Sequence, residues 1–199
     1  MAGEYRQDNS PFRTGYRFWK LSLKEKGKPR LVSLGGVPWE PKEVEDVTPL
    51  GEKVKIKELV SDYIGDEPFD QSSHGFYSKL DPKELIRDYG SERKGSIAGA
   101  ITPYGKTKLG DRGFRSEKAR VAAIFKGTIP CFICGKPAKV FLEEKSEGRR
   151  TPLCEACRKR VDKLVAKMGD RVEEYSIDEI LEQLAEYYGA DLVEPPEGF

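Results

Sequence analysis

Four cysteines carry the clearest chemistry in this 199-residue chain. Cys131 and Cys134 form one pair, Cys154 and Cys157 a second, and the whole reads C-x2-C-x19-C-x2-C. Zinc takes four soft, anionic ligands in a tetrahedron. A C-x-x-C turn aims two thiolates at one centre, and a second such turn completes the shell. Cys131, Cys134, Cys154 and Cys157 are therefore the expected ligands of a Zn2+ ion. Gly135, directly after Cys134, suits a tight turn at the first pair. Two disulfides or a redox pair are the competing readings. A thioredoxin-like role needs its C-x-x-C beside a βαβ pattern, and this context differs. A closed four-cysteine shell leaves no open position for water, so the ion is expected to be structural.

The segments around the cysteines explain how they would meet. KVFLEE (139–144) and RRTPL (149–153) can pair as a hairpin across a KSEG turn, bringing the second pair to the first. After Cys157 the pattern turns helical, with Val161, Leu164, Val165 and Met168 on one side. Hairpin, second pair, then helix resembles a treble-clef zinc finger over about 40 residues. Such fingers serve many functions.

Basic residues surround this module. Arg158, Lys159 and Lys163 follow the second pair, and Lys159, Lys163 and Lys167 recur every four residues. Arg149 sits on the hairpin. A second basic run holds Lys106, Lys108 and Arg112, interleaved with Tyr104 and Phe114. Clustered Lys and Arg neutralise phosphates, and aromatic rings stack on bases. The expected nucleic-acid contacts are Lys106, Lys108, Arg112, Arg149, Arg158, Lys159 and Lys163, with Tyr104 or Phe114 stacking. The plainer reading is a set of solvated charges, some paired with the acidic C-terminal segment. Charged residues make up 35% of the chain, enough to produce such runs without a partner.

Little else points to catalysis. His74 is the only histidine, so a serine or cysteine nucleophile would have to use it, with Ser72 and Ser73 nearby in sequence. A lone loop histidine is more often a hydrogen-bonding turn residue. No phosphate-binding G-x-x-x-x-G-K-[ST] loop and no strand-linked G-x-G-x-x-G is present. Glu117, in the GFRSEKARV segment, is the one acid singled out, and its plain reading is an ion pair with a neighbour such as Arg115. No catalytic residue is assigned.

The remaining elements must position these groups. YRFWKLSL (16–23) alternates as a strand, and RLVSL (30–34) returns as its partner. The Gly- and Pro-rich GGVPWEPKEVEDVTP reads as a loop pinned by Trp39, KIKELVSDYI (55–64) as a short helix, and GDEPFDQSSHG as another loop. Asp81 caps a clearer helix, with Pro82 in its first turn, Leu85, Ile86 and Tyr89 as an apolar stripe, and Gly90 as its stop. SIAGAITPYG (96–105) and EKARVAAIF (117–125) read as strands joined by the basic KTKLGDRGFRS connection. Ser176 and Glu179 open a last helix, with Ile177, Ile180, Leu181, Leu184 and Tyr188 at helical spacing and Gly189 as its end.

Three segments carry a wider resemblance: GYRFWKL with the GGVPWEP loop, HGFYS, and GAITPYGKTKLGDRGFRSEKARV. Over roughly residues 15–125 the chain resembles an uncharacterised family of bacterial, phage and archaeal proteins with Gly-Tyr-Arg-x-Trp and Gly-(Tyr/Phe)-Arg-(Ala/Ser)-Glu-x-Ala patterns. The resemblance implies that Gly15, Trp19, Trp39, Gly75, Gly105, Gly113 and Arg115 are framework positions, and it implies no activity. Where the family commonly carries Cys before a turn glycine, this chain has His74.

The expected fold class is α+β. A small β-rich core with one or two helices is followed by a C-terminal treble-clef-like zinc module and a terminal amphipathic helix. The expected divisions are a flexible N-terminus (1–14), a core domain (15–128), the four-cysteine module (129–171) and an acidic helix and tail (172–199). The net charge of +1 hides segregation: residues 172–199 carry 9 Asp+Glu and no Lys or Arg, so the rest is strongly basic. One Asn and three Gln against abundant Lys, Arg and Glu match a thermophile, here expected to be archaeal. No 18-residue apolar run and no apolar leader are present, so a cytoplasmic protein without a membrane partner is expected. The leading function is a zinc-containing binding protein that contacts nucleic acid, RNA more than DNA, or a ribonucleoprotein. The alternative is a protein–protein adaptor with purely structural zinc and an acidic contact helix. A third reading is an enzyme centred on His74.

Overall fold

The computed structural model describes residues 5–6, 14–25, 28–48, 51–60, 75–93 and 95–199. His74, Ser72 and Ser73 lie outside the described residues, as does most of the N-terminal segment. The fold is α+β, with two sheets and four α-helices among the described residues.

The larger sheet is built around a long antiparallel pair, β7 (Ser96–Gly110) and β8 (Gly113–Phe125). The basic connection expected between two shorter strands is itself strand, and only Asp111 and Arg112 turn the chain. β2 (Gly15–Glu25) pairs with β7, and β6 (Phe76–Lys79) pairs with both β2 and β8. These four strands thus close in a ring, which removes free edges from the centre of the body. β3 (Lys28–Val32) extends β2, and the β4–β5 hairpin (Lys42–Val47, Lys53–Val60) joins β8 through Leu59 and Val60. β1 (Tyr5–Arg6) borders β7, and β12 (Asp191–Val193) runs parallel to β8. The smaller sheet orders β10 (Arg149–Leu153), β9 (Val140–Glu144) and β11 (Val172–Ser176).

Two expectations fail here. KIKELVSDYI does not begin a helix, because residues 53–60 are strand β5. Its apolar residues fit a helical spacing, but its lysines face the acids of β4, with Lys55–Glu43 at 2.8 Å and Lys53–Glu45 at 3.4 Å. Cross-strand pairing overrides local periodicity. For the same reason the end of the loop after Trp39 is strand β4.

Both faces of β2 are covered. Trp19, Leu21 and Leu23 enter the main core, and Phe18 joins a second cluster with Leu85, Ala98, Ala100 and Phe125. Helix α1 (Pro82–Tyr89), capped by Asp81, supplies Leu85 to that second cluster. Trp39 packs edge-to-face with Trp19 and Phe76, with ring centroids 5.3 and 4.8 Å apart. Helix α4 (Ile177–Tyr188) runs from its Ser176 cap to left-handed Gly189 and buries its whole apolar stripe in the main core. At its end, the Tyr188 hydroxyl accepts from the Leu31 N–H at 3.0 Å and donates to the Trp39 carbonyl. The acidic segment is therefore part of the body's packing, with only its polar face outward.

Candidate metal centre and basic surface

The first cysteine pair sits on a turn whose backbone closes on itself. Gly135 N–H donates to the Cys131 carbonyl at 2.9 Å, Cys131 N–H donates to the Lys136 carbonyl at 2.7 Å, and Gly135 has φ +74°. That left-handed position is the one place in the turn that needs glycine. The second pair follows the hairpin: Cys154 is the N-cap of α2 (Glu155–Arg160), and Cys157 lies in its first turn. The hairpin joins them physically, since Phe132 N–H donates to the Pro152 carbonyl and Lys139 N–H to the Leu153 carbonyl, both at 2.8 Å.

All four sulfurs lie within 4.8 Å of one another, and none forms a disulfide. Cys134 Sγ and Cys154 Sγ are 3.5 Å apart. Four sulfurs bound at about 2.3 Å around a tetrahedral ion would stand about 3.8 Å from one another, so this spacing fits a metal cage. Cys131, Cys154 and Cys157 are buried and Cys134 is exposed.

The thiols do not titrate alike. Burial opposes ionisation of Cys131, but the backbone N–H groups of Cys154, Cys134 and Ile133 outweigh it and bring its pKa down to about 6. The Cys157 N–H lowers Cys154 as well. Burial and the neighbouring thiols push Cys157 up to about 12. Backbone donors thus favour the first negative charges, and those charges resist the last. A metal cation is the group that reconciles four thiolates in one place.

Strand β9 ties this centre to the body by its alternation. Phe141 enters the main core, whereas Val140 and Leu142 pack on the cysteine cluster. Arg150 clamps the joint, donating to the Leu21 carbonyl at 2.8 Å and pairing with Glu143 at 3.1 Å. Strand β11 then pairs along the whole of β9.

The residues expected to meet phosphate fall into different environments. Phe114 is 1% exposed in the main core and cannot stack on a base, which corrects the expectation. It packs there because β8 alternates and its inward positions are sealed by β6 and β7. Tyr104 is half-buried, and the Arg120 guanidinium covers its ring at 4.2 Å. Arg158 is held by Glu174 and Asp162, and Lys159 pairs with Glu155 at 2.9 Å. Arg112 is exposed and 3.9 Å from Asp88. Lys106 is exposed, and its backbone N–H donates to Glu117 at 3.2 Å. That bond spans an irregularity in the β7–β8 register, which gives Glu117 a structural task. Lys108 is half-buried, and Arg149 and Lys163 are exposed.

Residue-by-residue reading missed Lys136, which is exposed beside the first cysteine turn. Together with Arg149, Arg160, Lys163, Lys167 and Arg171 it makes six exposed cations on the module with no ion pair among the described residues, Arg171 being the one that donates to a carbonyl, that of Met168. A lysine inside the C-x-x-C-G-K turn was the available signal. The module also exposes Phe132, Ile133 and Leu164, which line an apolar groove of about 270 Å³ with Val161, Val165 and Met168. No helix among the described residues is long and apolar enough to cross a membrane. Compared with known proteins, the chain matches no family model, no curated protein and no solved structure.

Proposed function

We propose that this chain is a zinc-stapled nucleic-acid-binding protein, with RNA more than DNA, or a ribonucleoprotein, as its partner. Cys131, Cys134, Cys154 and Cys157 hold one Zn2+ in a treble-clef finger, and the likeness of residues 15–125 to the uncharacterised family describes the body that carries it. The observation behind the reading is that Lys136, Arg149, Arg160, Lys163 and Lys167 are exposed on that finger and form no ion pair among the described residues. Lys106, Lys108 and Arg112 extend the basic surface on the body. Arg158 and Lys159 are spent on carboxylates and serve the finger's own geometry.

The test is fluorescence anisotropy with a labelled single-stranded RNA. Five phosphate contacts predict about 100-fold weaker binding when salt rises from about 50 to about 200 mM. The Arg149→Glu/Lys163→Glu double variant is expected to bind at least about tenfold more weakly at low salt. No binding at about 50 mM salt, or a variant as good as the parent, rejects the reading.

A protein-binding adaptor remains the second reading because of the exposed Phe132, Ile133 and Leu164. Leu164→Ser separates the two: it weakens partner capture in an adaptor and, adding no charge beside Arg160, Lys163 and Lys167, leaves RNA affinity in place.

A further inference from the structure

Phe132 stands where an apolar ring gains nothing from the fold. It is 58% exposed, the most exposed aromatic side chain among those described. The cysteines on either side of it are the cause. Cys131 and Cys134 turn their sulfurs toward the shared centre, so the two residues between them, Phe132 and Ile133, are turned outward. The backbone beneath the ring is pinned. Phe132 N–H donates to the Pro152 carbonyl at 2.8 Å, and Cys131 N–H closes the turn on the Lys136 carbonyl at 2.7 Å. Among the described residues no ring or cation packs against Phe132. A ligand can therefore take this apolar face out of water without first having to order it.

Cations share its surroundings. Phe132 lines one groove with Arg149, Leu142 and Leu153, and with Leu164 and Met168 at the helix α3 (Asp162–Met168). Lys136 lies on the same closed turn as the ring. Lys136 and Arg149 are exposed, and neither forms an ion pair among the described residues. The one acid in the lining, Glu144, accepts from the Ser146 hydroxyl at 3.2 Å. An aliphatic partner would fill the groove and leave both charges unanswered. A nucleic-acid duplex would answer the charges, but its base faces are already stacked on one another. A single strand offers both an open base face and phosphates beside it.

From this juxtaposition of one outward ring and two cations without ion pairs, we propose that Phe132 is the base-stacking platform of the cysteine module, and that the module takes unpaired nucleotides of single-stranded RNA. The inference rests on the proposed function and adds to it the strand form that is bound and the side chain that selects it. The base lies on the Phe132 ring, and its flanking phosphates meet Lys136 and Arg149. Phe132 fills the role expected of Tyr104 and Phe114, the first covered by Arg120 and the second buried. Stacking reads no base edge, so the preference is for an unpaired strand and not for a sequence.

Fluorescence anisotropy with the zinc-loaded full chain tests it at about 50 mM salt, with one labelled RNA strand used free and annealed to its complement. Charge alone favours the duplex, whose phosphates are denser, so a parent that prefers the free strand is the expected result. Phe132→Leu keeps apolar bulk and loses the flat face. It is expected to weaken the free strand at least about fivefold, and to leave both the duplex affinity and the salt slope as in the parent, because no charge is removed. Phe132→Trp is expected to keep the affinity, with its emission quenched as the strand saturates it. A parent that binds the duplex more tightly overturns the proposal. So does a Phe132→Leu variant that binds the free strand within about twofold of the parent, which leaves the RNA reading standing. An equal loss in Leu164→Ser also overturns it, since the whole groove and not the ring would then make the contact, as for a protein partner. Should Phe132→Leu lose its zinc by elemental analysis, Phe132→Trp decides alone, and strand binding without quenching overturns the proposal. Absence of binding to either RNA overturns the proposal and the proposed function together.

Discussion

Single residues decide much of this structure because they stand where nothing else fits. A methyl group on Gly15 would lie 2.0 Å from Ser78 Oγ and 2.4 Å from the Phe114 ring. Gly15→Ala is expected to destabilise the protein by about 1–3 kcal/mol, visible as a lower midpoint in denaturant unfolding. Tyr188→Phe strands a buried Leu31 N–H and a Trp39 carbonyl, at a cost of about 1–3 kcal/mol in the same measurement. The Lys79–Asp88 pair gives a pH signature. Hydrogen bonds from Lys79 and then Arg87 hold the Asp88 carboxyl down at about 2, below its unfolded value near 3.9. Its contribution to stability is therefore complete above about pH 4 and is lost as pH falls through about 2. Asp88→Asn should melt at a lower temperature than the parent at pH 6, and the gap should close on acidification. The four cysteines were legible as a set because soft ligands announce themselves by spacing. Phe132 was not, because an aromatic residue between two cysteines looks the same whether its ring meets core or water.

At the scale of elements, turns and caps were the most readable parts. Asp81 accepts from the Lys83 N–H at 2.8 Å, Ser176 accepts from the Glu179 N–H at 3.3 Å, and Gly189 closes α4, each as its residue type foretold. These signals are local, so a linear reading reaches them. Strand β5 was misread because its decisive partners lie on β4 and β8. The apolar groove beside Phe132 went unseen because its lining comes from the first cysteine turn, β9, β10, α3 and β11. The same logic governs the hairpin carrying the cysteines. Its anchor on the body is Arg150, so Arg150→Ala should loosen the metal centre without removing a ligand. Competition with a chromophoric chelator should show faster metal release from that variant than from the parent.

Across the whole molecule, the four-cysteine module and the body are cross-braced. β11 completes the small sheet of the cysteine module, α4 continues directly into the body's core, and Lys139 meets Asp178 at 3.0 Å between them. Deleting residues 172–199 should therefore abolish the cooperative unfolding transition, which would make that truncation useless as a probe of partner binding. Loss of metal should propagate in the same way. Cys154→Ser is expected to lower the melting temperature of the entire chain, with no separate transition left for residues 15–125, and elemental analysis should find about one zinc per parent chain and far less in the variant.

The bond between Leu31 and Tyr188 joins positions 157 apart along the chain. During synthesis the first aromatic strands leave the ribosome long before the residue that seals them exists. The metal ligands, by contrast, sit close together in order of appearance and can capture their ion while the rest is still open. Maturation should thus run from a metal-loaded cysteine module to a closed ring of strands, and cells starved of metal should accumulate full-length but protease-sensitive polypeptide.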